Sequence, residues 1–382
     1  MNLMKILLIS LALLLLPGCW NSKDIQRMAY VTALGIDYKD GKYISYVQVL
    51  NFSSVAKVES TELGKNIPIW IGKGEGTTLT ESFNSIYATS QIRVFWGHLK
   101  SIVISENMLK HGDKIKEAYD MLNRYREVRY NILLYGTKEP LQEVLHTKSI
   151  LNFSPLDSIL DTPTQTFSQR SYIVPVYGFK LLAQINEPGD PAMLPSLTLD
   201  KANWHEDTKP KSLLKIDGAY FFNKGKMTGW LSEGDLIGYR WIQKKLERSP
   251  INIPNDKNPT AAIVLLHPSS KITSVFQDGK ALFNITIKIQ AYLDELNANI
   301  PEKTMEEQAA KVIKNEIRNT YKKGLEKKLD VLKLDQALYR DYPQKWHELH
   351  QNQDFIFDEK SLNNIEVKVK LLHTGKYKGR VD

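Results

Sequence analysis

The chain has 382 residues but only one cysteine, Cys19, and only one long apolar run, which ends at that cysteine. Each scarcity excludes something. A lone cysteine cannot form an intramolecular disulfide or a cysteine-rich zinc site. If its sulfur is taken up in a thioether, no thiolate nucleophile remains either. No Gly-x-Ser-x-Gly elbow for a nucleophilic serine occurs. No apolar stretch after residue 19 approaches the roughly 20 residues needed to span a bilayer. There is no internal repeat and no low-complexity tract. The remaining composition, 42% hydrophobic and 25% charged, suits water-soluble globular domains, two or three for this length.

The first 19 residues read MNLMKILLISLALLLLPGC. Lys5 supplies a positive start, and Ile6 to Leu16 form an apolar core interrupted only by Ser10 and Ala12. Such a core is too short for a membrane helix and has the layout of an export signal. Leu16-Pro17-Gly18-Cys19 resembles a lipobox, in which the cysteine thiol takes a diacylglycerol and the preceding signal is removed. Pro17 departs from the Ala, Ser, Thr or Val more usual at its place. An uncleaved anchor and a cleaved signal with a free thiol are the alternatives. Loss of residues 1–18 removes one charge, Lys5, and lowers the formal net charge from +8 to +7. That excess suits anionic lipid headgroups, at about 1 kcal/mol per basic residue near the surface. An exported chain has little contact with nucleic acid, and none is expected as a partner. Plain solubility explains the excess equally well.

The body divides by pattern into an N-terminal unit at 19–205, a small hairpin-plus-helix unit at 206–255 and a C-terminal unit at 256–382, after a signal at 1–18. Trp20 to Arg27 reads as a tether. Tyr30 to Asp37 and Tyr43 to Phe52 read as strands joined by a turn at Lys39-Asp40-Gly41-Lys42. Ser53 to Asn66 is a polar loop. Ile69 to Gly72 is a short strand, and Lys73 to Thr77 a turn into a helix that carries Leu79, Phe83, Ile86 and Tyr87 on one face. Ser101 to Ile104 and Tyr130 to Tyr135 are strands around a helix over Asp113 to Tyr125, with Ile115, Tyr119 and Leu122 inward. Gly112 closes a helical turn over Asn107 to Lys110. Residues 140–200 hold short helices, and Lys201 to Lys211 is a linker. Lys215 to Phe222 and Met227 to Leu231 form a second hairpin. Ser232 and Asp235 then cap a helix. Phe283, Ile285, Ile287 and Ile289 alternate along a half-buried strand expected to be antiparallel. Thr304 and Glu307 read as the capping box of a long helix. Its apolar stripe runs from Ala309 to Leu332, and Lys311, Lys314, Arg318, Lys322, Lys323, Lys327 and Lys328 form the opposite face. Ile365, Val367, Val369 and Leu371 alternate again. The expected class is α+β, three domains of mixed, largely antiparallel β-sheets with packed helices.

Three stretches invite chemical readings. Gly72-Lys73-Gly74-Glu75-Gly76-Thr77-Thr78 is glycine-rich but lacks the Gly-Lys-Ser/Thr ending of a phosphate loop, so a tight turn is the better account. His347-Glu348-Leu349-His350 spaces its imidazoles at i and i+3, where a zinc-protease helix needs i and i+4, and no third ligand is evident. The basic face of the long helix is an ordinary solvated face or a membrane- or partner-facing one. No catalytic, cofactor-binding or metal-ligating residue is assigned. Lipidation at Cys19 is the single site expected.

Several segments, in order, resemble the Ger(x)C spore-germination lipoproteins, the C subunits of nutrient germinant receptors. They are Gly18-Cys19-Trp20 with Ala29 to Asp37; Gly72 to Leu79; Trp96-Gly97-His98-Leu99-Lys100; Asn123 to Arg129; Asp217 to Phe222 with Gly229-Trp230-Leu231; and the long helix followed by Trp346 and a closing strand into Gly375. No single piece is specific, but their order over almost the whole mature chain is. Gly234-Asp235 departs from the Glu-Thr-like pair expected there. The resemblance implies a three-domain body outside the spore inner membrane or cell membrane, on its extracytoplasmic face. It also implies two integral-membrane partners, the A and B subunits, and no enzymatic activity or cofactor. Two other functions compete: a solute-binding lipoprotein that presents germinant to the receptor, and a cell-wall hydrolase, which needs a close carboxyl pair that no spacing here predicts.

Overall fold

The computed structural model describes residues 28–50, 68–254, 257–351 and 353–373. Cys19, the tether Trp20–Arg27, the polar stretch Ser53–Asn66 and the approach to Gly375 lie outside the described residues.

Strand β1 (Met28–Lys39) turns back into β2 (Lys42–Leu50) through Asp40 and Gly41, both at positive φ, 52° and 77°. That is the two-residue turn whose twist matches a hairpin. The chain repeats the device at Lys224-Gly225 and Asp278-Gly279. Strands β3 (Trp70–Gly76), β4 (Arg93–Phe95), β5 (Ser101–Ser105), β6 (Leu133–Thr137), β7 (Val176–Tyr177), β8 (Ala192–Asp200), β11 (Leu213–Asn223) and β12 (Lys226–Ser232) complete a ten-stranded sheet. Its main order is β12-β11-β8-β6-β5-β1-β2-β3, with β4 beside β1 and β7 beside β6. The centre is parallel and both flanks are antiparallel.

Side chains on a strand alternate between faces, and the central strands feed two cores. Leu34, Ile36, Ile102, Ile104 and Leu134 pack under α1 (Leu79–Tyr87), α3 (Gly112–Arg124) and α6 (Gly178–Asn186). Ala33, Val103, Leu133 and Tyr135 pack on the other side against α4 (Leu141–His146), with Ile159 and Leu160. Between β5 and α3 lies the short α2 (Glu106–Leu109), and α5 (Pro163–Gln169) precedes β7. Gly112 opens α3 rather than closing the turn before it, and Ala118, not Tyr119, is the fully buried residue of the middle turn.

Three expectations change here. The glycine-rich stretch is not a turn: β3 runs through Gly76 and pairs with β2 as far as Tyr43. Gly72, Gly74 and Gly76 share the face on which α1 lies. A Cβ on Gly74 would stand 2.0 Å from the Ser82 carbonyl oxygen, and one on Gly76 2.5 Å from the Ser82 nitrogen. The helix therefore rests directly on strand backbone, and Thr78 caps it by accepting from the Glu81 N–H. Second, residues 192–200, placed in a stretch of short helices, form the strand β8. Third, the linker stretch contains a small hairpin, β9 (His205–Glu206) with β10 (Lys209–Pro210).

The second hairpin, β11 with β12, continues the large sheet, since β11 pairs with β8. Ser232 and Asp235 cap reciprocally as expected: Asp235 N–H donates to Ser232 Oγ at 3.1 Å, and Ser232 N–H donates to Asp235 Oδ2 at 3.2 Å. The segment they lead into is a 3-10 helix, Ile237–Ile242.

The C-terminal sheet has the order β13 (Ser249–Ile253), β14 (Ala261–Gln277), β15 (Lys280–Leu296) and β16 (Leu362–His373). Strand β15 is antiparallel to β14 and parallel to β16. A parallel neighbour needs a crossover, supplied by α7 (Glu302–Lys327), α8 (Leu334–Asp341) and α9 (Pro343–Leu349). Phe283, Ile285, Ile287 and Ile289 meet Ala309, Val312, Ile313 and Ile317 of α7 in one core. The Thr304/Glu307 capping box is not formed: α7 starts at Glu302 behind Pro301, whose fixed φ suits a helix start. Leu329 and Leu332 are buried beyond the helix end, where Lys328 takes a left-handed conformation.

Gly74→Ala should lower stability by about 1–3 kcal/mol or more, because the clash is with backbone, whereas exposed Lys73→Ala should stay within about 0.5 kcal/mol. Urea unfolding of the two variants measures the difference.

Candidate functional site

Strand β11 joins the two halves of the molecule. Tyr220 and Phe222 point into the N-terminal core, while Ala219 and Phe221, on the opposite face, belong to the C-terminal core. The 3-10 helix beyond the hairpin then packs backbone to backbone on α7. A Cβ on Gly238 would stand 2.3 Å from the Glu316 carbonyl oxygen. The Gly238 N–H donates to Thr320 Oγ1 at 2.9 Å, and that hydroxyl donates to the Asp235 carbonyl at 2.7 Å.

A buried ion pair crosses this contact. Arg240 and Glu316 side chains are 2% and 7% exposed and 2.9 Å apart. Arg240 Nη2 donates to both Glu316 carboxylate oxygens, at 2.9 and 3.1 Å, and Nη1 donates to Ser249 Oγ at 2.9 Å. The Trp241 indole N–H donates to the same carboxylate at 2.6 Å. The guanidinium also lies 4.4 Å from the Tyr172 ring centroid and 4.2 Å from that of Trp241. A planar, always-charged group suits such a site. Sequence reasoning missed this pair. The available signal was Glu316 itself, a carboxylate set inside the apolar stripe of α7 beside Val312, Ile313 and Ile317.

Two clefts flank the junction. One, of about 980 Å³, lies between α6 and α8 and is lined by Met193, Tyr239 and Leu332, with Lys180, Lys271 and Arg340. The other, of about 410 Å³, is lined by Pro188, Phe222, Leu329 and Trp346, with Asp330 and His350. Asp330 accepts from the backbone N–H groups of Leu334 and Asp335, at 3.0 and 2.8 Å, and so caps α8. Burial and the neighbouring Asp335 carboxylate push its carboxyl up to about 7. Asp335 is 2.8 Å from His350 Nε2, and the His350 Nδ1 is 3.0 Å from the Gln353 carbonyl oxygen. Burial lowers the affinity of His350 for its proton, but Asp335 outweighs that and raises it above the usual value.

The sequence's chemical candidates do not converge. His350 is engaged as above, and His347 packs edge-on against Trp346, 5.0 Å between centroids. Among the described residues, no group of three or more His, Cys, Asp and Glu could hold a metal ion. The glycine-rich stretch is covered by α1. No helix of the described residues is long and apolar enough to cross a membrane. Of the segments that carried the family resemblance, those among the described residues serve as packing. Trp96 is 1% exposed and stacks on Phe83 at 4.4 Å. Its indole N–H donates to Tyr87 OH at 2.8 Å, and its backbone N–H donates to Glu127 at 3.1 Å. Glu127 also receives Arg93 at 2.5 Å. In the second hairpin, a Cβ on Gly218 would stand 2.2 Å from the Leu231 carbonyl oxygen.

With no reaction centre assembled from these candidates, likeness to known proteins bears on what the body is for. A family model described as the spore germination protein N-terminal domain matches residues 21–199, and one described as spore germination B3/GerAC like, C-terminal, matches residues 217–375. Spore germination protein KC of Bacillus subtilis (strain 168) is 22% identical over 382 residues, 95% of this chain and 92% of that protein. Spore germination protein B3 of the same organism is 22% identical over 390 residues, 95% and 96% of the two chains. The crystal structure of the GerBC protein has the same fold, with a TM-score of 0.56 at 16% identity over 89% of this chain and 96% of that one.

Removing Glu316 strands a buried guanidinium. Glu316→Leu should cost about 3–5 kcal/mol, and Arg240→Met combined with it should recover much of the loss, as a denaturant double-mutant cycle would read. Asp330 and His350 both hold protons more tightly folded than unfolded. The contribution of Asp330 fades as pH rises from about 4 to about 7, and that of His350 above about 6.5. The denaturation midpoint should therefore fall between about pH 5 and about pH 8, and less steeply in Asp330→Asn.

Proposed function

The chain belongs to the Ger(x)C family of spore germination proteins, and from that membership we propose that it is the lipid-anchored C subunit of a nutrient germinant receptor. It acts by assembly, docking integral-membrane A and B subunits on the extracytoplasmic face of the spore inner membrane. The observation that carries this reading is the match of two consecutive family models over residues 21–199 and 217–375, with curated relatives covered nearly end to end. The export-signal layout ending in Leu16-Pro17-Gly18-Cys19 supports lipidation at Cys19. A single acyl chain binds membranes only marginally, so a diacylglycerol thioether is the anchor expected to hold. Germinant binding elsewhere in the receptor shifts this subunit only if its contacts differ between the receptor's states. A body whose halves share one strand presents such contacts as a unit.

A second reading, a solute-binding lipoprotein, draws support from the 980 Å³ cleft. Ligand sites of that kind use a few convergent polar groups in an enclosed apolar setting. Lys180, Lys244, Lys245, Lys271 and Arg340 are exposed on the rim, and the more buried Lys333 is taken up by Asp190 at 2.8 Å, which favours a surface partner over an enclosed solute.

Cys19→Ala in the native spore should release the protein from the membrane and abolish nutrient-triggered germination. Membrane fractionation and germination assays on the same spores read both. Normal germination by protein that had left the membrane would overturn the assignment.

A further inference from the structure

We infer that the end of the large sheet where β1 begins is a membrane-contact face, formed by Tyr130, Tyr177 and Phe179 with Lys180, Lys244 and Lys245, and that it sets the body's orientation on an anionic bilayer. The inference rests on the lipid-anchor reading of Cys19.

The geometry starts from the register. Lys100 N–H donates to the Thr32 carbonyl, Leu133 N–H to the Lys100 carbonyl, and Gly178 N–H to the Ile132 carbonyl, each at 2.8–2.9 Å. These bonds form one row across β1, β5, β6 and the end of β7. Parallel β1, β5 and β6 all start at this end, so Met28, Tyr130 and Phe179 lie beyond the same margin. Residues 19–27 can span at most about 30 Å. They join the body at Met28, on this margin and not at the far end of β1, which lies roughly 35 Å away. An anchor at Cys19 is therefore attached at this end of the sheet, within about 30 Å of it.

The surface there is one that water favours poorly. Tyr130 is 75% exposed, Phe179 40% and Tyr177 37%. They form one cluster: Tyr177 stacks on Phe179 with centroids 6.0 Å apart, and Tyr130 meets Phe179 edge-on at 5.8 Å. Gly178 between them is buried, and a Cβ on it would stand 2.9 Å from the Tyr119 ring. Tyr177 and Phe179 thus flank a tightly packed Gly178 at the first turn of α6, and Tyr130 meets them from the segment before β6. Exposed Ile92 precedes β4 at the same margin. Aromatic rings with polar tips concentrate at the headgroup level of bilayers.

Charge agrees. Lys180 Nζ is 5.8 Å from the Phe179 ring centroid. Lys244 and Lys245 share a surface hollow with Tyr177, where Glu247 is the carboxylate. All three lysines are exposed, and among the described residues none forms an ion pair. Lysines beside interfacial aromatics are the arrangement that binds anionic headgroups.

The test uses the full lipidated chain on vesicles of phosphatidylglycerol and phosphatidylcholine. With Cys19 acylated, an introduced cysteine is the only thiol to label. A polarity-sensitive dye at Asn131→Cys, beside the cluster, should shift to the blue and lose most of its emission to lipids brominated near the headgroup. The same dye at Lys42→Cys should do neither. Tyr130→Ser with Phe179→Ser, or Gln at Lys180, Lys244 and Lys245, should each reduce the quenching at 131. Both sets are exposed, and circular dichroism would verify the fold. A water-exposed dye at 131 on protein that stays on the vesicles overturns the contact and leaves the anchor standing. Protein that washes off the vesicles overturns the anchor and the contact together. Protection of 131 only when integral-membrane subunits are co-reconstituted assigns the face to protein and overturns the lipid contact.

Discussion

Strand β11 has two faces, and each is needed by a different core. Tyr220 and Phe222 close the N-terminal core, while Ala219 and Phe221 close the C-terminal one. Because side chains alternate strictly along a strand, a slip of one residue would invert all four. The bonds of β11 to β8 and β12 hold the register, and the tight turn at Lys224-Gly225 fixes where it begins. The Arg240–Glu316 pair follows from this placement. Once the hairpin is set, the 3-10 helix is delivered to α7, and the pair with its ring neighbours satisfies the charges that close backbone packing would otherwise strand. Such a pair adds little net stability over apolar groups of like volume, yet losing one partner is costly.

Much of this architecture was legible because local rules govern it. Asp40-Gly41 and Asn223-Lys224-Gly225-Lys226 announce hairpins by residue type, Ser232 and Asp235 announce a cap, and Phe283 to Ile289 announce a one-faced strand. What escaped was decided at a distance. Strand β8 carries Pro195, which argues against a strand interior. It is tolerated because β8 meets β6 only at Ser196 and Leu197. The glycines of β3 look like a turn in sequence and become strand only because a helix needs their bare face. Thr304 and Glu307 fit a capping pattern, yet Pro301 starts the helix earlier. Arg240 and Glu316 are 76 positions apart, so no spacing could pair them.

The described segments that carry the family resemblance prove to be packing. Trp96, Glu127, the β3 glycines and Gly218 are fixed by what they touch, and none forms a reactive centre. Function on such a frame lies in sites carried on its surface rather than in the fold itself. The larger cleft beside β11 and the aromatic margin at the start of β1 adjoin, since Tyr177, Lys180, Lys244 and Lys245 line the cleft as well.

The seam also bears on heredity. The first family model ends at residue 199, in β8, and the second begins at residue 217, inside β11. The strand that completes the first half's sheet is thus encoded with the second half. A gene carrying only the first portion would yield a sheet ending at β8, with a long unpaired edge open to aggregation. A gene carrying only the second would expose Tyr220 and Phe222. Recombination that exchanged halves between distant relatives would have to match both faces of one strand at once, so the two portions are bound to descend together.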